Sequence, residues 1–78
     1  MPRIEVTLHG SLRRYAPGGS ALTEVRVDEG MTLGGILELL GVPRHSVSFG
    51  AVNGRKAAFD RVPCDGDKVA FFSPFSGG

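Results

Sequence analysis

The 78-residue sequence predicts an α+β fold, one helix laid across a mixed sheet of four to five strands. Three features carry that prediction. Stretches of strict apolar/polar alternation open the chain and recur after it. A single segment with helical spacing lies between them. Glycine, proline, asparagine and aspartate mark the junctions. A helix with one apolar stripe and strands with one apolar face bury both most simply by packing on each other.

From Arg3 to Leu8 the residues Ile4, Val6 and Leu8 fall on one face, and Arg3, Glu5 and Thr7 on the other. This is the period-two pattern of a half-buried strand. His9-Gly10 ends it, Ser11 to Tyr15 can form a turn of helix, and Pro17-Gly18-Gly19 must be loop. A second strand over Leu22 to Val27 puts Val25 and Val27 on one face and is expected to pair antiparallel with the first. Asp28-Glu29-Gly30 then turns the chain. Thr32 is a candidate N-cap for a helix whose Leu33, Ile36, Leu37 and Leu40 stand at i, i+3, i+4 and i+7. Gly34 and Gly35 weaken its first turn by roughly 1 kcal/mol each against alanine, so tertiary packing has to hold it. Gly41 suits the left-handed C′ position, and Pro43 lies just beyond.

A third strand is expected over Val47 to Asn53, with Val47, Phe49 and Ala51 on one side. Asn53-Gly54 is the strongest hairpin signal in the chain, returning through a short strand near Arg55 to Ala58. Phe59 and Val62 are expected under the following connection. Asp65-Gly66-Asp67 turns into the last strand, Lys68 to Phe72, and Pro74 closes it because proline cannot donate to a sheet ladder. In that strand Val69 and Phe71 point inward, leaving Phe72 outward or at the rim. The element order is that of a β-grasp layout.

Length limits the chain to one domain, spanning residues 1–78, with a small core. Cys64 is the only cysteine, so an internal disulfide and a multi-cysteine zinc or [2Fe–2S] site are ruled out, and a reducing, cytoplasmic compartment is expected. A formal charge of +1 is far below that of a domain held to nucleic acid by phosphate contacts. Glu5 stands where a secretory apolar segment would begin, and no apolar run approaches a membrane span. The expectation is a soluble monomer when free. His9 and His45 lack ligand-spaced partners, and no nucleophile–base constellation is present, so neither metal nor hydrolytic chemistry is expected. Arg13, Arg14, Arg44, Arg55 and Lys56 read as a solvated face before they read as a binding patch.

Chemistry concentrates in Ser73-Pro74-Phe75-Ser76-Gly77-Gly78. Paired glycines add nothing to a core but make a thin extension, expected to be flexible from about residue 73, that can present a free carboxylate in a narrow partner site. Phe72 is either a docking aromatic beside that extension or packs on the Leu12 to Tyr15 loop. Pro74, Phe75 and Ser76 are expected to meet the partner.

Several stretches together resemble the ubiquitin-like sulfur carriers of the MoaD/ThiS family. They are Val27-Asp28-Glu29-Gly30-Met31-Thr32-Leu33 entering the helix, Ala51-Val52-Asn53-Gly54 before the hairpin, Asp65 to Phe72 in the last strand, and the Gly77-Gly78 ending. The resemblance spans essentially the whole chain. It implies a ubiquitin-like β-grasp and a carrier that is a co-substrate, not an enzyme, with no bound cofactor. Gly78 would be adenylated by an E1-like partner using ATP and converted to a thiocarboxylate, with Gly77 giving clearance. Phe71-Phe72-Ser73-Pro74 is similar to the passage of the molybdopterin synthase small subunit into its tail, with Ser73 in place of a common proline and Phe75 in place of a smaller aliphatic residue. That similarity implies a molybdopterin synthase large subunit as acceptor. Carriers for thiamine thiazole or tRNA thiolation, and a protein modifier conjugated through Gly78, are the alternatives.

Overall fold

The alternating stretches at the two ends of the chain become neighbouring parallel strands in the middle of one sheet. The computed structural model describes residues 1–16 and 22–74. They form β1 (Arg3–Leu8), a 3₁₀ turn (Gly10–Tyr15), β2 (Leu22–Arg26), α1 (Leu33–Leu40), a second 3₁₀ turn (Arg44–Ser46), β3 (Phe49–Val52), β4 (Arg55–Ala57) and β5 (Lys68–Phe72). The strand order is β2-β1-β5-β3-β4, with β1 and β5 parallel and every other pair antiparallel. This is the mixed sheet and single helix the sequence predicted.

Alternation fixes which side chains meet the helix. Ile4, Val6 and Leu8 of β1, and Val69 and Phe71 of β5, are at most 2% exposed. They pack with Leu33, Ile36 and Leu37 of α1 into one cluster, against which Leu40 is partly buried. The helix is short, so its ends matter. Thr32 Oγ1 accepts from the Gly35 N–H at 3.1 Å. The Leu33 and Gly34 N–H groups donate to the Arg61 and Phe59 carbonyls, each at 2.9 Å. The connection after β4 thus takes up donors that the first helical turn cannot satisfy itself. At the other end Gly41 has φ 75°, and the Val42 N–H donates to the Leu37 carbonyl at 2.9 Å. That is a Schellman ending, for which glycine is the least strained residue.

Asn53 and Gly54 both have positive φ (52° and 83°), the pair of left-handed residues a two-residue hairpin needs. The third strand is shorter than its sequence pattern. The second 3₁₀ turn closes with the Val47 N–H on the Arg44 carbonyl, so pairing starts only at Phe49. Val47 is buried in the core cluster, whereas Phe49 stacks on Phe72, which stands outward in alternation with the core residue Phe71. The two therefore do not share a side. Phe59 packs against the core beneath the Arg44 guanidinium, 3.9 Å from its ring centroid, but Val62 stays 42% exposed.

At Gly50 the sheet lies close against the core side chains of Phe71 and Leu33. A Cβ there would lie 3.1 Å from Phe71 Cε1 and 3.4 Å from Leu33 Cδ1, both rigidly packed. Gly50→Ala is expected to cost about 1–3 kcal/mol by overpacking, read as a lower urea midpoint at unchanged slope. An unchanged midpoint would show that the core yields there.

The loop entering β5 is clamped by Asp67. Its carboxylate accepts from the Cys64 N–H at 2.8 Å and from Asn53 Nδ2 at 2.9 Å. Asn53 Oδ1 in turn accepts from the Lys68 N–H at 2.9 Å, joining the hairpin to the last strand. The Cys64 N–H, then Asn53 and Arg61, hold the Asp67 carboxyl below its ordinary range, outweighing slight desolvation. A lowered folded-state pKa stabilises the fold above the unfolded value of about 3.9, and this contribution is lost as pH falls through the folded value. Asp67→Ala should therefore lose stability at neutral pH and show a shallower decline on acidification, followed by thermal melts from pH 6 downward. Parallel acid limbs in both proteins would refute the assignment.

Candidate functional site

The site grows from β5, the central strand. On one side the His9 N–H donates to the Phe71 carbonyl at 3.0 Å, and on the other the Ser48 N–H donates to the Phe72 carbonyl at 2.7 Å. The last two strand residues are thus held from both flanks. Phe71 is fully buried and points to α1. Phe72, one residue on, must point to the opposite face.

There the Phe72 ring lies between two others. His9 stacks on it at 4.4 Å between centroids with 2° between planes, and Phe49 stacks on the other side at 4.6 Å and 15°. Lys56 Nζ stands 5.6 Å from the Phe49 ring centroid, within cation–π reach. A row His9–Phe72–Phe49, ending in Lys56, therefore crosses the outer face where the chain leaves the sheet. Stacked pairs of this kind contribute about 0.5–1.5 kcal/mol beyond their buried area, so the row stiffens the strand end.

Of the residues the sequence singled out, Phe72 is in this row and half-buried. Ser73 is 3% exposed and Pro74 is exposed. Phe75, Ser76, Gly77 and Gly78 lie outside the described residues. The basic residues are spread over three elements, Arg13 and Arg14 on the first 3₁₀ turn, Arg44 on the second, and Arg55 and Lys56 on β4. Cys64 is exposed, as a free thiol. Among the described residues no group of three His, Cys, Asp or Glu could hold a metal ion, and no helix is long and apolar enough to cross a membrane.

His9 and Phe49 are functional candidates that sequence reasoning missed. The register explains why. Leu8 pairs with Phe71 and Phe49 with Phe72, so the residues after Leu8 and Phe71 become neighbours. Only the parallel pairing of first and last strands brings His9 to Phe72.

One helix on this mixed five-stranded sheet, with the last strand central and parallel to the first, defines a ubiquitin-like β-grasp protein. The model of the Mut7-C ubiquitin family matches residues 1–76, and the chain belongs to that family. Among solved structures, SAMP1 from Haloferax volcanii is 29% identical, with 97% of this chain and 99% of that one aligned at a TM-score of 0.74. A protein from Pyrococcus furiosus assigned as molybdopterin converting factor, subunit 1, is 22% identical, covering 95% and 99% of the two chains at a TM-score of 0.74. Urm1 from Trypanosoma brucei is 20% identical, covering 97% and 95% at 0.67. The last two likenesses speak to the fold alone. No curated protein sequence matches the chain.

Proposed function

We propose that this chain is a cytoplasmic sulfur carrier whose Gly78 carboxylate is activated by an E1-like, ATP-using partner. The observation that carries the proposal is the strand that precedes the glycines. β5 is gripped on both sides, its Phe71 is locked in the core, and its Phe72 is stacked in an aromatic row. Four residues of sequence, Phe75 to Gly78, follow Pro74. A rigid root with a recognisable face, in a sequence that ends on the minimal-width pair Gly77-Gly78, suits delivery of a carboxylate into a partner's narrow site.

The chemistry needs no side chain from the carrier. The Gly78 carboxylate attacks the α-phosphorus of ATP and displaces pyrophosphate, forming an acyl-adenylate. Sulfide, or its equivalent from a donor protein, then attacks the carbonyl carbon and AMP leaves, so that one oxygen has been replaced by sulfur. The thiocarboxylate is the nucleophile handed to the acceptor enzyme. Gly77 gives clearance, and Phe72, Pro74, Phe75 and Ser76 contact the partner. Molybdopterin synthesis, with a synthase large subunit as acceptor, is the preferred pathway, supported by the Phe71-Phe72-Ser73-Pro74 passage. ATP–pyrophosphate exchange with the cell's adenylating enzyme tests the first step. Exchange that depends on this chain and vanishes on deletion of Gly77-Gly78 is expected, and exchange indifferent to the deletion would refute it.

A second reading is favoured by the 29% identity to SAMP1, a small archaeal modifier protein. The same activated Gly78 would then be joined to lysines of other proteins. Isopeptide-linked adducts that disappear with Gly78 would favour conjugation, and a free thiocarboxylate without adducts would favour the carrier.

A further inference from the structure

We infer that the outer sheet face seats an α-helix of the partner, lying across the strands, with basic residues toward β2 and an acidic one toward β5. The inference names the partner element for the docking face proposed above and rests on that reading. Register sets out three parallel rows on this face. The first is the aromatic row His9–Phe72–Phe49. The second, two residues along each strand, is Leu22–Thr7–Ala70–Ala51–Lys56, whose centre is built of small side chains. The third is Glu24–Glu5–Lys68, which is charged.

Large rows on either side of a small one make a trough. The flanking rows stand about 13 Å apart, four strand residues at about 3.3 Å each. An α-helix with its side chains measures roughly 10–12 Å across and fits that spacing. Thr7 and Ala70 at the floor are half-buried, so the backbone of a bound element can approach closely there. A single extended strand would fill only part of the width.

Charge specifies the occupant further. Glu5 faces Glu24 directly across the antiparallel pair, an unfavourable placement of like charges. Beside them a recess of about 260 Å³ is lined by Arg3, Glu5, Glu24, Asp65 and two neighbours. Asp65 Oδ1 already accepts from the Arg3 N–H at 2.7 Å. Among the described residues Arg3 is the one cation lining the opening, so the three carboxylates still leave it acidic. This favours a lysine or arginine from the helix, which would relieve the Glu5–Glu24 repulsion. On the far side Lys68 adjoins Glu5, so an acidic residue is complementary there. The opposite flank of the helix would be apolar, against Phe72 and Phe49.

The test places a photo-activated cross-linking residue at Ala70, and separately at Thr7, in the full chain. Each protein is added with ATP to an extract of the cell it comes from, and the cross-linked partner residues are mapped by mass spectrometry. Cross-links at partner residues three and four apart on one segment are expected, with lysine or arginine on one flank. Glu5→Lys with Glu24→Lys should lower the yield about tenfold, the effect of roughly 1.4 kcal/mol, in protein whose melt shows it still folded at the assay temperature. Links at alternate residues of an extended segment, links confined to loops, no link from either position, or indifference to charge reversal would each overturn the inference. Thiocarboxylate formation is read on the same samples. If it proceeds without helical cross-links, the helix seat fails and the carrier reading stands. Helical cross-links without thiocarboxylate would do the reverse.

Discussion

One residue appended after Gly78 will abolish sulfur loading while leaving the melting temperature unchanged. The reactive group in the carrier reading is the α-carboxylate of Gly78, and an added residue converts that carbonyl into an amide, which cannot attack ATP. The added residue brings its own carboxylate, but one position too far along and, for any residue except glycine, behind a β-carbon that a narrow partner site excludes, so loading is lost. The fold is untouched, since the core cluster is assembled from Ile4 to Phe71. Loading of the extended protein at an undiminished rate would mean that the Gly78 carboxylate is not the group activated. A large fall in melting temperature would instead show that the last residues contribute to stability.

Phe71→Ala is expected to remove a large share of the folding stability, whereas Phe72→Ala one position later should stay closer to the parent in stability and fail at the partner. Phe71 is fully buried between the sheet and α1, beside Gly50 and Leu33. Truncating a buried phenylalanine costs about 3–5 kcal/mol, and a domain of this length has about 4–12 kcal/mol in total at typical stability per residue. Phe72 is half-buried on the outer face, so its loss removes two stacking contacts and part of the proposed docking row. Its stability cost should be nearer 1–3 kcal/mol, with a rise in the KM of the adenylating enzyme for the carrier. Chemical denaturation and steady-state exchange kinetics on both variants separate the two roles. Equal destabilisation by the two substitutions would contradict the assignment of faces.

Much of this architecture was legible because local chemistry and global fold agree. Thr32, the 33/36/37/40 stripe and Gly41 are sufficient to locate α1, and Asn53-Gly54 the hairpin, since each satisfies a backbone requirement within a few residues. The face of Phe72 was legible too, because alternation alone separates it from Phe71. What escaped was long-range. His9 reads as a strand end until the parallel pairing with β5 places it against Phe72, a separation no periodicity reports. Phe49 read as sharing a side with Val47 because the pattern appears continuous there. The 3₁₀ turn over Arg44–Ser46 delays pairing until Phe49, and Val47 goes to the core instead. Val62, apolar in a loop, gave no sign of its exposure, because burial under a connection depends on where that connection runs.

In the carrier reading, sulfur is held on the carboxyl group of Gly78. Intact-mass measurement of the protein isolated from its own cell, before and after incubation with ATP, a sulfide source and its adenylating enzyme, tests this most directly. The expected result is a protein whose Gly78-terminated peptide alone gains the mass of one sulfur-for-oxygen exchange. A chain that continues past Gly78 in the cell, or a terminal peptide that never exchanges oxygen for sulfur, would contradict it.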